Sequence, residues 1–207
     1  AETLRSAVKN SNGGGSTMAF GSGNKADYTL RSALMGVNNT LTGSQNNEST
    51  NTMLTGFHNT ADKVSNTTVI GSENTVTNSK NSLVMGDNRE VKDASHAVLI
   101  GSTDSKTTTS VNNAVSVGHN TNVTVEGGVA LGSESKATVA AGSVGYDPST
   151  KAQSTNTDST WKATKSAVSV GDVNNNITRQ ITSVAAGTKD TDAVNVAQLK
   201  DVERKIT

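Results

Sequence analysis

The residues best suited to ligate a metal or move a proton are three histidines, His58, His96 and His119. Their sequence neighbours show no ligand spacing, so they read as solvated side chains of turns. The acidic residues fall singly, which leaves no pair of carboxylates to share acid and base roles. Serine is abundant, but no Gly-x-Ser-x-Gly elbow presents one as a nucleophile. Gly21-Ser22-Gly23 is a turn, short of a phosphate loop. There is no cysteine, hence no thiolate metal site and no disulfide framework. The aspartates of a calcium nonapeptide repeat are missing. Asn-x-Ser/Thr triplets at Asn38, Asn47, Asn66 and Asn122 follow from composition. The expectation is no catalysis, no metal and no cofactor. What remains is recognition, and its candidates are apolar residues at positions otherwise polar. These are Tyr28, Leu30, Val37, Leu41 and Phe57, with His58 beside the last. Val37 and Phe57 replace the Ser, Asp or His that usually follows the repeat glycine. The bland alternative packs them beneath the long loop Leu41–Thr52.

These candidates are carried by a repeat. Asn113-Ala114-Val115-Ser116-Val117-Gly118 has counterparts ending at Gly21, Gly36, Gly56, Gly71, Gly86, Gly101 and Gly132, and again at Gly171. The separations from Gly21 to Gly132 are 15, 20, 15, 15, 15, 17 and 14. Fifteen residues are too few for a two-helix repeat and suffice for two short strands with two turns, one coil of a β-solenoid. The apolar run before each glycine does not alternate with polar residues, which predicts burial of both its faces. One face would fill the coil and the other would meet a copy of the chain. At Ser116 and Ala130 the middle position shrinks, and closer approach of subunits is expected there. A turn of the form Gly-x-x-Asn-Thr follows (Gly36 to Thr40, Gly56 to Thr60, Gly71 to Thr75), with Asn suited to left-handed angles and to side-chain ladders. The second strand, marked by Val76, Val91, Val123 with Val125, and Ala137 with Val139, reads as the outer, solvated one.

Composition agrees with a thin core. The 207 residues are 32% hydrophobic and 2% aromatic. That would suit disorder if the apolar groups were not so regularly placed. Net charge is zero without a basic block, against nucleic-acid binding. No apolar run is long enough for a membrane helix. The chain shows no signal-peptide pattern at its start and stops within a helical pattern, as expected of a piece of something longer.

Along the chain, residues 1–15 form an N-terminal cap segment, where Leu4 and Val8 could make one helical turn and the very end is expected to be disordered. Residues 16–145 carry the repeats, 146–165 interrupt them, 166–200 hold a last strand and a connecting segment, and 201–207 begin a helix. Thr107–Thr109 falls in the loop Thr103–Asn112, which counts against an array of threonines for ice binding. Trp161, the only tryptophan, is expected to pin the interruption to the body. Thr191 or Asp192 suits an N-cap. Leu199, Val202 and Ile206 begin a seam whose β-branched residues lean away from a dimer, so a homotrimer is expected.

Taken together, the glycine-ended repeats, Arg179-Gln180-Ile181 with Val184-Ala185-Ala186-Gly187, and Asp192-Ala193-Val194-Asn195-Val196-Ala197-Gln198-Leu199 resemble the head and neck of YadA-like trimeric autotransporter adhesins. Residues 146–165 are similar to the head-insert motif of that family. The resemblance implies an all-β, left-handed parallel β-roll head, three chains side by side, and a neck leading to a trimeric coiled coil. It also implies a signal peptide and a β-barrel anchor outside this segment, on a Gram-negative outer membrane. The function implied is attachment to host cells through collagen, fibronectin, laminin or CEACAM-type receptors. Two alternatives are kept. A polysaccharide-acting solenoid enzyme would need clustered carboxylates or a catalytic histidine, and an ice-binding or purely structural spacer would need flat Thr-x-Thr arrays.

Overall fold

The computed structural model describes residues 5–9 and 16–207. The chain winds into a parallel β-solenoid of about eight turns and ends in helix α1, Val196–Ile206. Each full coil gives one strand to each of two sheets. The nine strands of the first, here the apolar sheet, run in order from Met18–Ser22 through Ala33–Val37, Met53–Phe57, Thr68–Ser72 and Leu83–Asp87 to Val98–Ile100, Val115–Val117, Val129–Leu131 and Val168–Ser169. The second, the polar sheet, stacks Ala7–Lys9, Lys25–Asp27, Thr40–Thr42, Thr60–Ser65, Thr75–Lys80, Arg89–Lys92 and Thr107–Thr109, with Thr29–Leu30 and Ser49–Thr50 to one side.

Register follows the glycines. Gly21 pairs with Gly36, Gly36 with Gly56, Gly56 with Gly71, and Gly71 with Gly86. The reason is steric. At Gly56 the backbone has φ of 128°, and a Cβ there would occupy the place of the Gly71 carbonyl in the next coil. The interval of twenty residues from Gly36 to Gly56 keeps this register because the extra residues leave the coil as a small excursion, closed by mutual backbone bonds between Ser44 and Asn47.

The interior is a thin core between the sheets, with Val64, Ala94, Ala97 and Ala114 at its edge. From the apolar sheet come Leu34, Leu54, Val69, Val84, Leu99, Ser116 and Ala130, from the polar sheet Ala26, Leu41, Ala61, Val76 and Val91, and from a separate pair of strands, Asn122–Val123 and Lys136–Ala137, come Val123 and Ala137. All are buried, none above 2% exposed. The middle residue of each apolar run therefore faces inward. Ser116 and Ala130 are themselves interior residues, so the shrinkage expected at a subunit-facing position falls inside the coil, a correction to the sequence reading. The second strand is likewise only half solvated, since Val76, Val91, Val123 and Ala137 point into the core.

Three further expectations change. Val8 sits in the strand Ala7–Lys9, paired with Lys25–Asp27, because parallel stacking satisfies its backbone where one helical turn would not; Leu4 and the chain's first residues lie outside the described residues. Thr107–Thr109 is a strand on Arg89–Val91 and not a loop. The N-cap of α1 is Asn195, later than Thr191 or Asp192, and it forms a capping box with Gln198. The helix thus starts at Val196, inside the segment read as connecting.

Candidate functional site

The outward residues of the apolar sheet form an exposed apolar surface. The two positions flanking each buried middle residue face away from the core. Met18 is 49% exposed, Phe20 63%, Met35 42%, Met53 43%, Met85 39% and Leu131 41%. Both sequence phenylalanines and all four methionines lie in this sheet. Such a surface on one chain is a place for association. The sequence reading had seen that the runs were apolar on two sides, but had no way to tell which residues faced outward.

Val37 and Phe57 continue the same sheet. They pair directly across adjacent strands and are 41% and 48% exposed. They do not pack beneath the loop that follows Leu41. His58 is exposed beside Phe57, with ring centroids 5.8 Å apart, and its Nδ1 lies 2.7 Å from Oε2 of Glu73. The fifteen-residue spacing of His58 and Glu73 puts them at equivalent corners of successive coils, a partner relation that inspection of near neighbours missed. Tyr28 and Leu30 are half-buried at the far side of the coil, after the polar strand, so they are not brought to this patch. Leu41 is fully buried in the core and cannot meet a partner. Its position alternates with the outward threonines Thr40 and Thr42, and alternation in a strand turns it inward.

One catalytic-looking constellation appears that sequence spacing did not reveal. Ser102 Oγ lies 2.9 Å from His119 Nδ1, and His119 Nε2 lies 3.0 Å from Asp104 Oδ1. A hydrolytic triad needs its carboxylate enclosed and its imidazole desolvated. Here the Asp104 side chain is 76% exposed and the His119 side chain 43%. The Asp104 carboxyl is held below its ordinary value mainly by the Asn120 amide, with His119 contributing less. The three form a polar stack on an open corner. His96, exposed, has only the Asn81 amide at 3.4 Å. Among the described residues no three potential ligands gather to hold a metal.

The coils are tied internally by a buried ladder at the glycine corner. Asn24, Asn39, Asn59 and Asn74 are each fully buried. Each of the last three donates from Nδ2 to the side-chain oxygen of the one before, at 3.0 Å. Each of the four also donates to the glycine carbonyl of the next coil, at 2.7–2.9 Å. Arg89 takes the next place. It is 1% exposed and its backbone N–H donates to Asn74. Its guanidinium donates to the carbonyls of Gly101, Gly118 and Thr121 and to the Thr121 hydroxyl. Burial pushes its pKa down, with no carboxylate among these partners.

Residues 146–165 make their own small structure. Tyr146–Asp147 pairs antiparallel with Ala152–Gln153, and Gly145 N–H donates to the Trp161 carbonyl at 2.7 Å. Trp161 is half-buried, with its ring near Gly145. Beyond the last strand, Arg179 reaches back over Gly132 and donates to Ser133, Ser135 and the Val170 carbonyl. The Val184–Gly187 turn is held by the helix start: Asn195 Nδ2 donates to the Val184 carbonyl, and the Gln198 amide bonds both the N–H and the carbonyl of Gly187. Backbone N–H groups of Lys189 and Thr188 lower the Asp192 carboxyl pKa. On α1, Val196, Leu199, Val202 and Ile206 are all exposed. No helix among the described residues is long and apolar enough to cross a membrane.

Residues 180–207 match the family described as the coiled stalk of trimeric autotransporter adhesin. The chain is 53% identical over 79 residues to the autotransporter adhesin BadA of Bartonella henselae, covering 38% of this chain and 3% of that protein. It is 51% identical over 76 residues to the trimeric autotransporter adhesin AtaA of Acinetobacter sp. (strain Tol 5), covering 35% of this chain and 2% of that one. The chain therefore spans only a few hundredths of the length of these relatives. Among solved structures, the collagen-binding domain of the Yersinia adhesin YadA aligns over 83% of this chain and 86% of its own, with TM-score 0.37 and 19% identity. Both sequence relatives are adhesins.

Proposed function

From a YadA-like adhesin, which the stalk match and the two sequence relatives support, we propose that this chain is the head and neck of a homotrimeric surface adhesin. The head would be residues 16–145 with the insert at 146–165, the neck 166–200 and the stalk from 201 onward. The whole protein would stand on the outer membrane of a Gram-negative bacterium, held by an anchor outside this segment. It would attach to host matrix proteins (collagen, fibronectin or laminin) or to CEACAM-type receptors. The observation that carries this reading is the exposed apolar sheet of a chain whose own core is thin and built mostly of Val, Leu and Ala. Association buries that sheet, and the apolar seam of α1 continues the same demand at the other end.

Receptor contact is assigned to Val37, Phe57 and His58, with Tyr28 and Leu30 on the opposite side of the coil as a separate, weaker element. Apolar anchors carry most of an interface's energy while polar rims add little, and three copies would multiply a weak contact through avidity. The experiment is light scattering of the purified chain, followed by a binding screen against the named matrix proteins and receptors. A trimer that binds one of them is expected. Phe57→Ala should leave the trimer folded and cost about 2 kcal/mol of binding. A folded monomer at micromolar concentration would refute the assembly. A collapse of the melting temperature on removing Phe57 would move that residue from the receptor patch into the subunit contact, with which its column is continuous.

A further inference from the structure

All four methionines of the chain, Met18, Met35, Met53 and Met85, stand on one sheet, within five consecutive strands, and each is between 39% and 49% exposed. Met18 and Met53 share one column, separated by Ala33, while Met35 and Met85 share the next, separated by Thr55 and Ile70. In the later strands the same outward columns hold Val98, Ile100, Val115, Val117, Val129 and Leu131. Those residues supply apolar surface with better strand preference, so apolarity alone does not account for methionine at the earlier positions. A thioether differs in two ways. It is soft and adaptable, and it is the one apolar side chain that a mild oxidant makes polar.

We propose that the methionine half of the apolar sheet is an oxidation-sensitive contact, on which conversion of the thioethers to sulfoxides blocks association with further copies of the chain. The proposal rests on the self-association reading above. The co-reactant is a two-electron oxygen donor of the peroxide class. With hydrogen peroxide, the thioether sulfur attacks one peroxide oxygen, a sulfur–oxygen bond forms, the oxygen–oxygen bond breaks, and the departing hydroxide leaves as water with the proton released by the other oxygen. Sulfur is oxidised by two electrons and peroxide is reduced by two. The product carries a strong acceptor. On the same columns Thr55 and Thr68 carry hydroxyls, while the methionines, Phe20, Ala33, Ile70 and Leu83 offer no side-chain donor, so a sulfoxide buried against those is left unsatisfied.

The test starts from chain unfolded in denaturant. One portion is oxidised with hydrogen peroxide and one is not, both are refolded, and circular dichroism and light scattering are recorded. Intact mass counts the oxygens taken up. The expected result is four added oxygens, retained β-structure because none of the four side chains is in the core, and a dissociation constant raised by roughly tenfold or more. The variant Met18→Leu/Met35→Leu/Met53→Leu/Met85→Leu should assemble equally before and after peroxide. Methionine sulfoxide reductases should restore assembly of the oxidised chain. Unchanged assembly of fully oxidised chain overturns the proposal, as does an equal loss in the leucine variant. If unoxidised chain refolds only to a monomer, the homotrimer reading fails. The proposal, which needs an association to block, fails with it.

Discussion

The coils up to Asn74 and those after it solve the same problem with different chemistry. In the first group, every glycine corner is filled by a buried asparagine that bonds forward to the next glycine carbonyl, and Asn39, Asn59 and Asn74 also bond backward to the asparagine before. The opposite corner has a second buried series, Ser32, Thr52, Thr67 and Ser82, whose hydroxyls donate to the carbonyl two residues back. Ser32 and Ser82 also accept from the following coil, from the N–H groups of Thr52 and Ala97. In the second group both series lapse. Ala97 and Ala114 take the place of the hydroxyls, and Thr121 and Ser135 take the place of asparagine. Arg89 joins the two regimes, since its guanidinium spans the coil at Gly101, which has no asparagine, to reach Gly118 and Thr121. Arg179 repeats the device at the far end, on Ser133 and Ser135. The lesson is that a repeat needs its corner carbonyls satisfied, and one long cation can serve where two short amides are missing.

The largest expected effect comes from removing the join. Arg89→Met keeps the volume and strips the donors from buried carbonyls of three residues, which should cost about 3 kcal/mol or more. In a stacked repeat the loss should also uncouple the halves, so urea unfolding should change from one transition to two. A single, unshifted transition would show that the guanidinium is no bridge.

Next is the contrast between the ladders. Asn59→Ala interrupts a chain of side-chain bonds and should cost about 2 kcal/mol, while Ser135→Ala, at the matching corner near the end, should cost about 1 kcal/mol or less. Equal effects in thermal melts of the two variants would erase the distinction between the regions.

The smallest effect is on the polar sheet of the second group. Hydrogen bonds from Thr108 and Lys106 hold the Glu90 carboxyl below its ordinary value. A depressed pKa stabilises the fold above the unfolded value, and this is lost as pH falls through the folded one. Glu90→Gln should therefore destabilise by ~0.5 kcal/mol at neutral pH, and the difference from the parent should vanish in acid. A gap that persists at low pH would assign the effect to packing.

How much of this was legible can be judged residue by residue. The glycine period led to the solenoid and its register, since a shared positive φ and a close carbonyl leave no other residue for those corners. The asparagine ladder was anticipated from Gly-x-x-Asn-Thr. Leu41 was misassigned to the surface because the long excursion beginning just after it disguised its place in an alternating strand. Asn195 was passed over as a cap because Thr191 and Asp192 are equally good caps in isolation. Only the turn at Val184–Gly187, which Asn195 and Gln198 bind, selects it. The stack of Ser102, Asp104 and His119 was invisible because its members lie one coil apart, 17 and 15 residues away in sequence, beyond the reach of near-neighbour spacing.

The sequence by itself determined the period, the sites that must be glycine, the polar corners and the helical end, all of which are properties of a residue and its near neighbours. Tertiary structure decided which face of each apolar run is interior. A run such as Leu83-Val84-Met85 is apolar throughout, so its hydrophobic pattern is the same whichever way the strand is turned. The choice is made by the opposite sheet, where Val91 needs Val84 against it, and that leaves Leu83 and Met85 facing outward.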